Sequence, residues 1–185
     1  MRVILALVLC ATLAGCAGAA PPSEGDLLEE ELAELFDSLE NVTDPTVAWT
    51  PTGVRVTAML DDRDTCASRA AAATSIAETY TETDHSVHTP HFTFTSKQRE
   101  FHWVHFDPDF VSRYTAATII WCETLDKAAR DTDEQTDFVR GAEFALALTA
   151  EDDTAAATLL AEVTAAATEV GLLIRPGGVS VSVPD

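Results

Sequence analysis

The sequence predicts an α+β domain in which an antiparallel sheet carries helices on one face. Three observations predict it. Apolar and polar residues alternate at the period of a strand over 54–60, 91–103, 142–149 and 179–183. Between these runs, apolar residues recur at helical spacing over 62–82, 108–130 and 151–170. Counted from residue 46, the order is β α β β α β, followed by α β. The first six elements match a split βαβ, ferredoxin-like order.

The first strand is expected over Thr46–Leu60. Val54, Val56, Ala58 and Leu60 form its buried face, and Pro51 and Gly53 mark a bend. Asn41–Pro45 reads as a break before it. Asp61-Asp62-Arg63-Asp64 ends the strand and supplies a helix N-cap. Cys66, Ala70, Ala73, Ala77 and Tyr80 then line one face of a helix to residue 82. His85–Pro90 reads as a loop.

Ser96-Lys97-Gln98-Arg99 reads as a hairpin turn. Residues whose numbers sum to 195 then face each other, so Phe94 opposes Phe101 and Phe92 opposes Trp103. The alternation sends His91, Thr93 and His102 to the opposite face and His105 to the aromatic one. Asp107-Pro108 is a helix start, and Phe110, Tyr114, Ala117, Trp121 and Leu125 continue it. Asp131–Thr136 reads as a polar break. Phe144, Leu146 and Leu148 give a further strand. Thr149 or Asp152 caps a last helix, which Gly171 and Pro176 stop. Val179, Val181 and Val183 make a closing strand. The segments 54–67 and 144–157 echo each other: each is strand, acidic turn, then Ala-rich helix with an Asp-Thr pair at its start. Duplication or the chain's Ala/Thr/Asp bias accounts for that.

The chain of 185 residues carries 31 acidic and 11 basic side chains, a formal net charge of -20. Nothing in it could neutralise a run of phosphates, which excludes a nucleic-acid partner. The same charge opposes docking on anionic lipid. With 46% hydrophobic residues the chain is able to fold. A basic protein patch or a cation is the partner chemistry that fits.

Residues 1–15 read as a signal peptide. Met1-Arg2 is a short positive segment, and Val3–Leu13 is an apolar run too short to span a membrane. It ends in Leu13-Ala14-Gly15-Cys16. This resembles the lipobox of prokaryotic lipoproteins, where small residues precede an obligatory cysteine. The resemblance implies cleavage before Cys16, diacylation of its thiol and retention at the cell envelope outside the cytoplasm. Residues 16–26 then read as a flexible tether and residues 27–40 as an acidic amphipathic helix. The remainder, 46–185, is the single α+β domain.

Export leaves Cys66 and Cys122 as the thiols of the mature domain, since Cys10 is removed and Cys16 carries lipid. In an oxidising compartment they are expected to pair. Two separate buried thiols are the alternative.

All five histidines fall between residues 85 and 105: His85, His88, His91, His102 and His105. His91 and His102 are diagonal neighbours on the hairpin's non-aromatic face, and His88 lies in the adjoining loop. Imidazoles suit Zn or Cu, so His88, His91 and His102 are the candidate metal ligands. The plainer reading makes them exposed or capping histidines. The chain has no nucleophile elbow, P-loop, dinucleotide fingerprint or His-Glu-x-x-His motif. The expected function is a non-catalytic binding or envelope-structural role. A metal-handling role through the histidine cluster is the second expectation.

Overall fold

The structure, a computed structural model, describes residues 26–27, 30, 34, 42–50, 53–82, 89–97, 99–128 and 136–184. The signal segment, Cys16, most of the tether, His85 and His88 lie outside the described residues. Of the expected acidic helix, Leu27, Glu30 and Glu34 are described; they are helical and exposed, as is Asp26, the last residue of the expected tether.

From Val42 on, the described residues form seven strands and three helices in the order β1 (Val42–Thr50), β2 (Gly53–Leu60), α1 (Cys66–Glu82), β3 (Pro90–Ser96), β4 (Arg99–Trp103), α2 (Val111–Lys127), β5 (Thr136–Arg140), β6 (Glu143–Thr149), α3 (Asp153–Glu169) and β7 (Leu173–Ser182). A 3-10 turn, Pro108–Phe110, precedes α2. The strands lie in the sheet in chain order. The pairs β1–β2, β3–β4 and β5–β6 are antiparallel hairpins, whereas β2–β3, β4–β5 and β6–β7 are parallel across the helices. The domain is thus a ββα unit written three times and closed by β7.

This arrangement bears out the α+β class and corrects its finer version. The sheet is mixed, not antiparallel, and its sequential order is not the ferredoxin-like one. Two missed hairpins account for both differences. The run expected as one strand over 46–60 is two, with Thr50 paired to Gly53. Val42–Pro45, within the expected break, is instead the start of β1, with a register irregularity between Thr43 and Thr46. The second miss is β5, which opens at Thr136, inside the expected polar break. Each lone strand thereby becomes a hairpin, and each helix becomes a crossover between parallel neighbours.

Gly53 has φ 151°, and a Cβ there would lie 2.5 Å from the Thr89 carbonyl oxygen. Only glycine lets β1 turn into β2 this close to the chain entering β3.

The central hairpin has the register expected from its aromatics: Phe92 pairs with Trp103 and Phe94 with Phe101. All four are fully buried beneath the helices. Trp103 stacks on Phe106 and meets Tyr114, with centroids 5.6 and 5.2 Å away. Its indole N–H donates to Thr118 Oγ1 at 3.0 Å, so the polar end of the ring is satisfied in the core.

The helices start and stop where their ends are capped. Thr65 Oγ1 accepts from Ser68 N at 3.1 Å at the start of α1, and Asp152 Oδ1 from Ala155 N at 2.8 Å at the start of α3. Asp107 Oδ1 accepts from Asp109 N at 3.0 Å at the turn before α2. After α3, Gly171 adopts φ 74°, Gly171 N donates to Thr168 O and Leu172 N to Ala167 O, a Schellman ending. The two echoing segments occupy the same place in their units: 54–67 runs from β2 into α1, and 144–157 from β6 into α3.

Candidate functional site

Strand β4 divides the chemistry of the molecule, because successive side chains leave it on opposite faces. Arg99, Phe101 and Trp103 point beneath the helices and are buried. Glu100 and His102 point to the face opposite α1, α2 and α3, Glu100 exposed and His102 half-buried. Arg55 and His91, paired in register on β2 and β3, share that open face with Thr93.

The expected ligands are placed as follows. His91 and His102 are both on the open face, as their alternation requires. Thr93 is directly opposite His102, and its Oγ1 lies 3.1 Å from His102 Nδ1. His102 Nε2 is shielded from solvent and has no hydrogen-bond partner among the described residues. It lies 3.3 Å from Glu100 Oε2, a charge contact whose direction does not make a hydrogen bond. Burial holds the His102 pKa below the usual imidazole value, against the opposing pull of Glu100. Burial also lowers that of His91, helped by His105, Arg55 and His102.

His105 corrects an expectation. It does not join the aromatic face. The chain leaves β4 in a turn, and His105 has φ 51°, a left-handed conformation that reverses the direction of its side chain. Its ring meets that of His91 edge-on, with centroids 4.7 Å apart. The turn is held from below: Phe106 N donates to Pro90 O, and the Tyr114 hydroxyl donates to His105 O at 3.3 Å. Among the described residues, the imidazole in ring contact with His91 is that of His105.

The two cysteines are joined. Cys66 and Cys122 form a disulfide with Cα atoms 5.5 Å apart, linking α1 to α2. Cys66 is half-buried and Cys122 fully buried. In the chain-entropy model a closed loop of this length stabilises by on the order of 4 kcal/mol. Among the described residues, one group of three donor atoms lies within 4.8 Å: Cys66, Cys122 and Asp126. Its sulfurs are bound to each other, so it holds no metal.

Two buried cations escaped the sequence reading. Arg69 is 1% exposed. Its Nε donates to Asp61 O at 2.8 Å, its Nη2 to Asp62 O and its Nη1 to Cys122 Sγ at 3.0 Å. It ties the β2–α1 loop to the disulfide. Arg99, expected in the hairpin turn, lies in β4 and donates through Nη2 to Asp137 Oδ2 at 2.6 Å. Asp137 also accepts from Trp121 Nε1 at 2.9 Å and, through Oδ1, from Ala147 N at 2.8 Å. Burial pushes its carboxyl up to about 6 despite Arg99 and these donors. An acidic residue at the end of a polar run looks like loop in sequence. The signal that could have found it is the pair Phe138 and Val139, apolar residues adjoining an acid in an otherwise polar stretch.

No protein-family model matches the chain, and no curated protein or solved structure is significantly similar to it.

Proposed function

We propose that this protein is a lipid-anchored, extracytoplasmic domain with a non-catalytic binding or envelope-structural role. One observation carries the anchoring: Leu13-Ala14-Gly15-Cys16 closes an apolar run of signal-peptide length. The Cys66–Cys122 bond supports export, because disulfides persist where thiols oxidise. Among the described residues no helix is long and apolar enough to cross a membrane. Several acyl chains on Cys16 would make a lasting anchor without one.

The working surface in this reading is the open face of the sheet. The helices fill the other face with aromatic core, while the open face presents Arg55, His91, Glu100 and His102. The placing of three imidazoles at this face and its rim favours a second reading, in which the domain handles a metal ion.

The anchoring test is Cys16→Ser expressed in a prokaryotic host with a lipoprotein pathway. The wild-type chain is expected in the membrane fraction and the variant in the soluble extracytoplasmic fraction. A variant that still sediments with membrane overturns the anchor.

A further inference from the structure

We propose that Glu100 and His102 form a chelating pair for a divalent transition metal, Zn(II) or Cu(II), on the open face of the sheet. The inference rests on the second, metal-handling reading and supplies its donor atoms. It is independent of the lipid anchor.

Both residues leave β4 on the same face, two positions apart, so the strand itself holds them together. Thr93, directly across on β3, fixes the imidazole through the 3.1 Å contact between its Oγ1 and Nδ1. When the threonine hydroxyl accepts, Nδ1 carries the ring proton and Nε2 presents its lone pair. A ligating histidine is usually set in this way, with its other nitrogen donating to an oxygen behind it.

Nε2 then faces Glu100 Oε2 at 3.3 Å with no hydrogen bond to any described residue. Two electron-pair donors at that separation repel each other unless a cation joins them. That cation is either a proton on Nε2, which Glu100 attracts, or a metal ion. A metal suits the spacing. Bonds of 2.0–2.2 Å in a tetrahedral site put neighbouring nitrogen and oxygen ligands about 3.3–3.5 Å apart.

Glu100 is exposed and His102 Nε2 is shielded, so a metal would reach the pair from the Glu100 side. Arg55, exposed on β2, is a cation on the same face and acts against very tight binding. A two-donor site of this kind suits exchange of a metal, or capture of one that arrives with ligands of its own. His91 and His105 pair with each other beside it and are not donors in this site.

The test uses the full chain in detergent with Zn(II) alone, and separately Cu(II) alone, followed by calorimetry. Glu100→Gln and His102→Gln are each expected to weaken binding at least tenfold. Thr93→Val is expected to weaken it about tenfold, as loss of an outer-shell partner does. His91→Gln should leave it within about twofold. In the wild-type chain the ¹⁵N resonance of His102 Nε2 should shift on saturation with Zn(II), a readout that needs no variant to fold. An unmoved His102 resonance, or unchanged affinity in both Glu100→Gln and His102→Gln, overturns the pair. Binding lost only in His91→Gln overturns it while leaving a metal-handling domain. No binding of either metal by the wild-type chain overturns both.

Discussion

Arg99 and Glu100 are adjacent in sequence and lie in different environments. Arg99 turns under the helices, where Asp137 takes its charge and where Trp121 and Ala147 N fill the rest of that carboxylate. Glu100 turns outward to His102, an imidazole held by Thr93 whose outer nitrogen has no hydrogen-bond partner among the described residues. The first pair is a structural device buried in the core. The second is shaped but incomplete. The difference teaches that charge placement in this chain follows the pleat: one residue along a strand separates a group the fold depends on from a group the fold leaves available.

The largest expected effect tests the buried side. Asp137→Ala leaves the Arg99 guanidinium buried without its counter-charge and should cost about 3–5 kcal/mol, read as a fall in urea midpoint. The double variant Arg99→Met/Asp137→Leu, which removes both charges, should recover most of that loss. A double variant no better than the single would show that the pair's hydrogen bonds, not its charges, hold β5 in place.

A second, smaller effect comes from pH. The folded-state pKa of Asp137 is raised from 3.8 to about 6, so the folded protein holds this proton more tightly than the unfolded one. Its contribution is therefore fully present below pH 3.8 and is lost as pH rises through about 6. A rise from 3.8 to about 6 corresponds to about 3 kcal/mol. The stability of the wild-type chain relative to Asp137→Asn should therefore increase as pH falls from 7 to 4, while groups common to both chains cancel. A difference that stays flat with pH would place the Asp137 pKa near its ordinary value.

The smallest effect belongs to the open face. Glu100→Gln and His102→Gln, measured without metal, should each change stability by no more than about 0.5 kcal/mol. A loss like that of Asp137→Ala would make Glu100 a structural residue and erase the contrast between the two faces.

Much of this division was readable before the structure. The aromatic alternation in 92–103 set the register of the central hairpin, and with it the face of His102. Capping acids and Gly171 marked the helix ends closely. The disulfide followed from counting the thiols that an exported domain would retain. What stayed hidden has physical causes. Between β1 and β2, Pro51 and Gly53 read as a bend within one β-favouring run and not as its end, so two strands read as one. β5 is five residues long, and its central partnership joins Asp137, which the sequence assigns to no element, with Arg99, which it places in a turn. Glu100 is one of 31 acids, and nothing local marks it until His102 is seen beside it. The turn of His105 back over His91 depends on a single positive φ, which an alternation pattern cannot register.

The sequential order of the strands has a kinetic consequence. Each strand is laid beside the one that precedes it in the chain, so no strand must be inserted between two that have already paired. The sheet can grow in the direction in which the polypeptide is delivered, each ββα unit adding to a finished edge. Loop closures stay short, which favours fast folding for so large a sheet. The cross-link between Cys66 and Cys122 can form once the second unit has arrived, locking the first two together before β5 is added.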